Sequence, residues 1–180
     1  SKFKISFGAI CLLASSFLFA GESVYTSMAL FGTKTVYAAV KTKVKGAELD
    51  SFLMAYSPDK MSAAKVSLPS DIDNREVVAL IPAKAEKLLV ISQQTLEKGD
   101  GPQIHLFDPG KKTWKKIAQS DCVSFSKIQL AGKKIVLACE ITDDKGETKL
   151  VDKEVDLKGV STLALGDLPM PLAKIETKEM

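Results

Sequence analysis

The stretch QIHLFDPGKKTWKKI (103–117) decides the fold class. An apolar strand over 104–107 runs into Asp108-Pro109-Gly110-Lys111, and a second strand returns through Trp114 to Ile117. Proline at the second turn position presets φ, and glycine accepts the conformation that side chains avoid, so a β-hairpin is predicted. The layout occurs 51 residues earlier as FLMAYSPDKMSAAKV (52–66). Tyr56 stands where Phe107 does, Pro58 where Pro109 does, Lys60 where Lys111 does and Val66 where Ile117 does. A repeated β-module is expected, and no catalytic motif accompanies it.

The totals bound the rest. The chain has 180 residues, 46% hydrophobic and 26% charged, which suits one folded domain with an appendage. A net charge of +3, with lysines spread along the chain, does not suggest nucleic-acid binding. Arg75 is the only arginine among 25 basic residues, so bidentate phosphate recognition is not expected to be central. Cys11, Cys122 and Cys139 match no zinc spacing.

Residues 1–40 differ in kind from the rest of the chain. Lys2 and Lys4 precede ISFGAICLLASSFLFA (5–20), a basic start before an apolar run, which is the layout of a secretory signal. Cleavage after Ser23 or Ala38 is chemically acceptable. The competing reading, which we prefer, is an uncleaved anchor helix over 5–21: sixteen apolar residues reach roughly 24 Å, and Gly21 with an interfacial Glu22 brings this closer to the ~30 Å hydrocarbon core. Residues 24–40 carry a helical stripe through Val24, Met28 and Phe31, with Tyr25 and Ala29 beside it. Partner contacts are therefore expected from Phe7, Cys11 and Phe17 on the first helix and from Tyr25, Met28 and Phe31 on its extension. The main domain is placed outside the cytoplasm, periplasmic or at the cell surface.

From Gly46 onward strands succeed one another. Strands are expected over 52–56, 63–68, 77–81, 87–92, 104–107, 114–117, 123–130, 133–141, 151–157 and 160–165. KLLVIS (87–92) is a continuous apolar run, as in a strand buried on both faces, and returns as KKIVLA (133–138). Each outer hairpin ends in a small residue plus aspartate: Ser70-Asp71, Ser120-Asp121 and Gly166-Asp167. A period near 50 with a tryptophan-bearing return strand resembles a kelch-type β-propeller blade over about 46–166. The resemblance implies that Phe107-Asp108 is the aromatic–acid pair ending one blade strand and Trp114 the tryptophan of the next. About two and a half such modules fall short of the four or more that close a propeller.

The fold class expected is therefore mainly β: an N-terminal hydrophobic helix, then an antiparallel β-meander of propeller-like hairpin modules in an open or sandwich-like arrangement. The domains expected are 1–40 (anchor or export segment), 41–168 (β-rich) and 169–180 (extended tail).

Chemistry is sparse. His105, the only histidine, stands between Ile104 and Leu106, so alternation turns it to the other face, where a surface or edge histidine is expected. The carboxylates Asp71, Asp73, Asp143, Asp144 and Asp167 read as capped turns; the 71–75 run lacks the glycine and terminal glutamate of an EF-hand loop. No catalytic, cofactor-binding or metal-ligating residue is assigned, and no small-molecule substrate or nucleic acid is expected. Counting back from an Ala131-Gly132 turn makes Cys139 the diagonal neighbour of Cys122, so a disulfide between them needs a bulge or a register shift. The function expected is that of a non-enzymatic, membrane-anchored accessory or structural subunit whose partners are the membrane and other subunits of a larger complex. The alternative is a secreted or surface β-protein that polymerises or adheres.

Overall fold

The structure is a computed structural model, and it describes residues 22–31, 35–43, 49–72, 75–94 and 100–168. These form three antiparallel sheets. The first joins β1 (Glu22–Phe31), β2 (Thr35–Lys43), β3 (Leu49–Ser57) and β4 (Ser62–Ser67) in sequence order. The middle sheet repeats that order with β5 (Arg75–Ala83), β6 (Lys87–Gln94), β7 (Gln103–Asp108) and β8 (Thr113–Gln119). The third contains β9 (Phe125–Leu130), β10 (Lys134–Thr142), β11 (Thr148–Asp156) and the two-residue β12 (Gly166–Asp167), in the order β11-β10-β9-β12.

The sheets stack with the middle one between the other two. Its face carrying Val77, Leu80, Leu88, Val90 and Phe107 packs on Tyr37, Ala39 and Leu53 of the first sheet. Its other face, with Ala79, Ile81, Leu89, Ile91 and Ile104, packs on Phe125, Ile128, Ile135, Leu137 and Cys139 of the third. This is why KLLVIS has no alternation: Leu88, Leu89, Val90 and Ile91 all lie at 0% exposure. A strand covered on both faces gains burial at every residue, roughly 1.5–3 kcal/mol for each large apolar side chain.

The ladders agree with the 51-residue offset but not with the match of 87–92 to 133–138, since the register slips align Ile91 with Ala138 and not with Leu137. Tyr56 faces Ala63 across β3 and β4, and 51 residues on Phe107 faces Trp114 across β7 and β8. The turns agree too, with left-handed Met61 (φ 48°) and Lys112 (φ 54°) at equivalent places. In the first hairpin of each sheet the register slips once: between Tyr25 and Ser27, between Val77 and Ala79, and on β9 beside Ala138 and Cys139. One extra residue on the first strand at the same place gives all three hairpins the same bend.

Two expectations at the N-terminus are corrected. Residues 24–40 are not a helical extension; they supply β1 and most of β2. Val36, Tyr37, Ala38, Ala39 and Val40 are all buried, so the segment is a strand with both faces covered, which carries no period to separate it from a helix. The β-region therefore begins at Glu22 and not near residue 41, and cleavage after Ala38 would remove β1 and cut β2. Residues 1–21, with the expected anchor, Phe7, Cys11 and Phe17, lie outside the described residues, as does the tail 169–180. Among the described residues no helix is long and apolar enough to cross a membrane. A third correction concerns residues 160–165: in place of a strand there is a single bridge at Thr162.

Candidate functional site

The linkers between sheets bring the sequence's polar residues to defined places. After β4 the chain passes through Ser70-Asp71-Ile72, and after β8 through Ser120-Asp121-Cys122. In each, the aspartate reaches forward to the next sheet. The Asp71 carboxylate accepts a hydrogen bond from His105 Nε2 at 2.7 Å on β7. Lys153 Nζ on β11 donates to Asp121 Oδ1, also at 2.7 Å. The two receivers hold equivalent positions: His105 faces Val90 and Lys153 faces Leu137, each one residue before the slip-aligned pair Ile91 and Ala138.

The residue after each aspartate is an apolar plug. Ile72, at 0% exposure, sits in the core between the first and middle sheets. Cys122 sits in the core between the middle and third sheets and forms a disulfide with Cys139, Cα–Cα 5.7 Å. The register slip beside Cys139 supplies the adjustment that the sequence count required. Leu168, after Gly166-Asp167, packs on the same core. Asp167 differs from the other two aspartates, since its partner is Lys127 at 2.8 Å within its own sheet.

His105 is not at the surface. It is 1% exposed, because its face of β7 is roofed by the first sheet and its linker. Its hydrogen bond holds Asp71 below the ordinary carboxylate range, with the imidazole's charge as a lesser cause. A histidine oriented by a carboxylate is half of a nucleophilic relay, but the relay also needs a hydroxyl or thiol on the other ring nitrogen. His105 Nδ1 is buried without a hydrogen-bond partner, as is Gln103 Oε1 two residues away.

Arg75 closes the same end of the middle sheet. It is 4% exposed and donates to Ser92 Oγ at 3.2 Å, Ser92 O at 3.3 Å and Gly101 O at 2.9 Å. Burial lowers its pKa, opposed by Asp100 and Asp71. Gly101 has no room for a side chain: a Cβ there would lie 1.9 Å from Ser120 O. Sequence reading noted Arg75 only for its rarity and did not single out Gly101. A lone arginine beside a strand start was the available signal for the first, and nothing marked the second.

Between the middle and third sheets a groove of about 450 Å³ opens, lined by residues 118–121 and by Lys153, Glu154, Val155, Asp156 and Lys158. The Asp121–Lys153 pair lies in its wall. Among the described residues no three His, Cys, Asp or Glu side chains are grouped to hold a metal. Tyr25, Met28 and Phe31, expected on a helix face, instead occupy ladder positions on β1 opposite Val40, Ala38 and Thr35. Comparison with protein-family models and with curated proteins gives no match.

Proposed function

We propose that this chain is a non-enzymatic, membrane-anchored accessory subunit of a larger membrane assembly, with its β-region outside the cytoplasm. The observation that carries the reading is the use made of its polar residues. Asp71, His105, Asp121 and Lys153, the groups best suited to chemistry, hold one sheet to the next. The repeated hairpins and their shared slip support reading the sheets as propeller-like blades of the kelch type, stacked in an open row. The apolar run at 5–20 supplies the anchor, and the Cys122–Cys139 disulfide suits an oxidising compartment.

Alkaline extraction of native membranes, followed by intact-mass measurement, tests the anchor. The full N-terminus should stay in the pellet; a soluble chain beginning near Val24 would overturn the reading. His105→Ala should leave any activity of the assembly unchanged at equal protein level. A purified chain that turns over a substrate, and loses that activity with His105→Ala, would establish an enzyme instead. Met28 and Phe31 are unsuitable for separating docking from folding, because both belong to the first sheet. The second reading, a secreted protein that polymerises or adheres, draws its support from β11, whose outer side has no strand beside it among the described residues.

A further inference from the structure

The first and middle sheets each place a fourth strand outside their third: β4 beside β3, and β8 beside β7. The third sheet does not. By register β11 is its third strand, yet among the described residues it is the edge, and the chain turns back to set β12 on the far side of β9. Of the nine residues of β11 only Val155 is buried, and Leu150 is 62% exposed. The 450 Å³ groove runs alongside, between β11 and the end of β8, in the region a fourth strand would cover.

The sequence beyond Leu168 matches the missing strand. MPLAKIE (170–176) aligns with MSAAKVS (61–67), the left-handed Met61 followed by β4. Met170 falls on Met61, Ala173 on Ala64, Lys174 on Lys65 and Ile175 on Val66. Ala-Lys followed by valine or isoleucine occurs at these two places and nowhere else in the chain.

In that alignment the tail does not reach this edge in its own chain while β12 is paired. Leu168 N–H donates to Ile128 O on the far side of β9. The open position beyond β11 is four strand spacings away, about 19 Å at about 4.8 Å each. In the alignment Pro171 falls on Ser62, the first residue of β4, and even the four residues from Leu168 to Leu172 span at most about 14 Å.

We propose that residues 172–176 of a second copy add to β11 as the fourth strand of the third sheet, so that two chains associate by exchanging tails. Main-chain hydrogen bonds along the open ladder supply the attraction, and two-fold symmetry lets both copies give and receive. This is independent of the anchor reading, since it holds for an exported chain as well.

The test uses full-length chains with Cys11→Ser and one added cysteine. One set carries Asp152→Cys, the position that the alignment sets opposite Ile175, with Leu150→Cys and Glu154→Cys covering neighbouring registers; the other carries Ile175→Cys. Co-expression and oxidation should give a covalent heterodimer, mapped by peptide mass. Adding Lys174→Pro to the donor copy should cut its yield about tenfold or more, because proline cannot donate to a ladder. An Asp152→Cys/Ile175→Cys chain should not bridge internally. Amides of 148–156 should exchange about tenfold or more faster when 169–180 are deleted. An internal bridge, no bridge between copies, or a bridge indifferent to Lys174→Pro would each overturn the proposal, as would exchange unchanged by the deletion.

Discussion

The middle and third sheets share a first hairpin, down to the residue where the register slips, yet they end differently. The middle sheet completes four strands in order and is covered on both faces. The third runs three strands in order and then sets the two-residue β12 beside β9, leaving one face without a sheet over it among the described residues. Leu89 and Val136 make the contrast local. They hold the same place in β6 and β10, but Leu89 is at 0% exposure against the third sheet, whereas Val136 is half-buried between Gln129 and Glu154. Equivalent ladders thus do not fix equivalent energetics; the neighbour supplied by stacking does.

The largest break in this comparison should come at Leu89. Leu89→Ala should cost about 3–5 kcal/mol in chemical denaturation, with a cavity left between two sheets. Val136→Ala should cost about 1 kcal/mol or less, because water or a side-chain shift refills the space. Equal losses at both positions would show that the third sheet's outer face is covered.

The disulfide should come next. Bridging residues 17 apart, it contributes about 3 kcal/mol in the chain-entropy account. Reductant, or the double change Cys122→Ala and Cys139→Ala, should lower the denaturation midpoint chiefly through the third sheet. Alkylation of the unfolded, unreduced protein should label Cys11 alone; three labelled thiols would show the bridge absent.

Trp114→Ala should have a smaller effect than Leu89→Ala, about 2–3 kcal/mol in the same denaturation measurement. The indole is half-buried and stacks on Phe107 at 4.5 Å between ring centres, while Phe107 meets Tyr37 edge-on at 6.0 Å. Its counterpart in the first sheet is Ala63, so the first sheet has no aromatic to lose at that place.

The smallest effect should appear in acid. Asp71 is held below its unfolded value of 3.8 by His105. A carboxylate with a depressed folded pKa contributes stability that is present above about pH 4 and is lost as pH falls through the folded value. Asp71→Asn should therefore flatten the acid limb of the stability curve, at a cost near neutrality of about 1 kcal/mol, reduced by the carboxylate's exposure. Asp121→Asn should do less, since Asp121 and Lys153 both meet water. An acid limb unchanged by Asp71→Asn would remove the first clip from the account.

Much of this fold is legible in the sequence because turns and aspartates are local signals. The Asp108-Pro109-Gly110 turn marks the 103–117 hairpin, KLLVIS announces a strand with two covered faces, and Ser70-Asp71 and Ser120-Asp121 each follow the end of a hairpin, whereas Gly166-Asp167 is itself β12 beside β9. The strands from β3 to β11 lie close to where the pattern places them. What failed had no local signature. Residues 36–40 are apolar throughout because the middle sheet covers one face of β2, and Val40, Phe52 and Met54 cluster on the other. His105 alternates like a surface residue and is buried because a neighbouring sheet, about 50 residues away in sequence, lies over it. The clip partners were each visible, but which lysine or histidine met which aspartate depended on stacking.

The double coverage of the middle sheet also governs how the molecule comes apart. A row of three units has two junctions, and the central unit owns a share of both, so it behaves as a short one-dimensional chain of coupled elements. Losing an end unit dissolves one junction; losing the central unit dissolves two. Unfolding should therefore travel inward from the ends and depart from a single all-or-none step wherever one junction is weakened more than the other. The disulfide ties Cys122 of the linker to Cys139 of β10 and so holds the third unit together at the second junction; among the described residues no such bond lies at the first. Under oxidising conditions the first sheet is thus the unit that detaches, and reduction hands that role to the third.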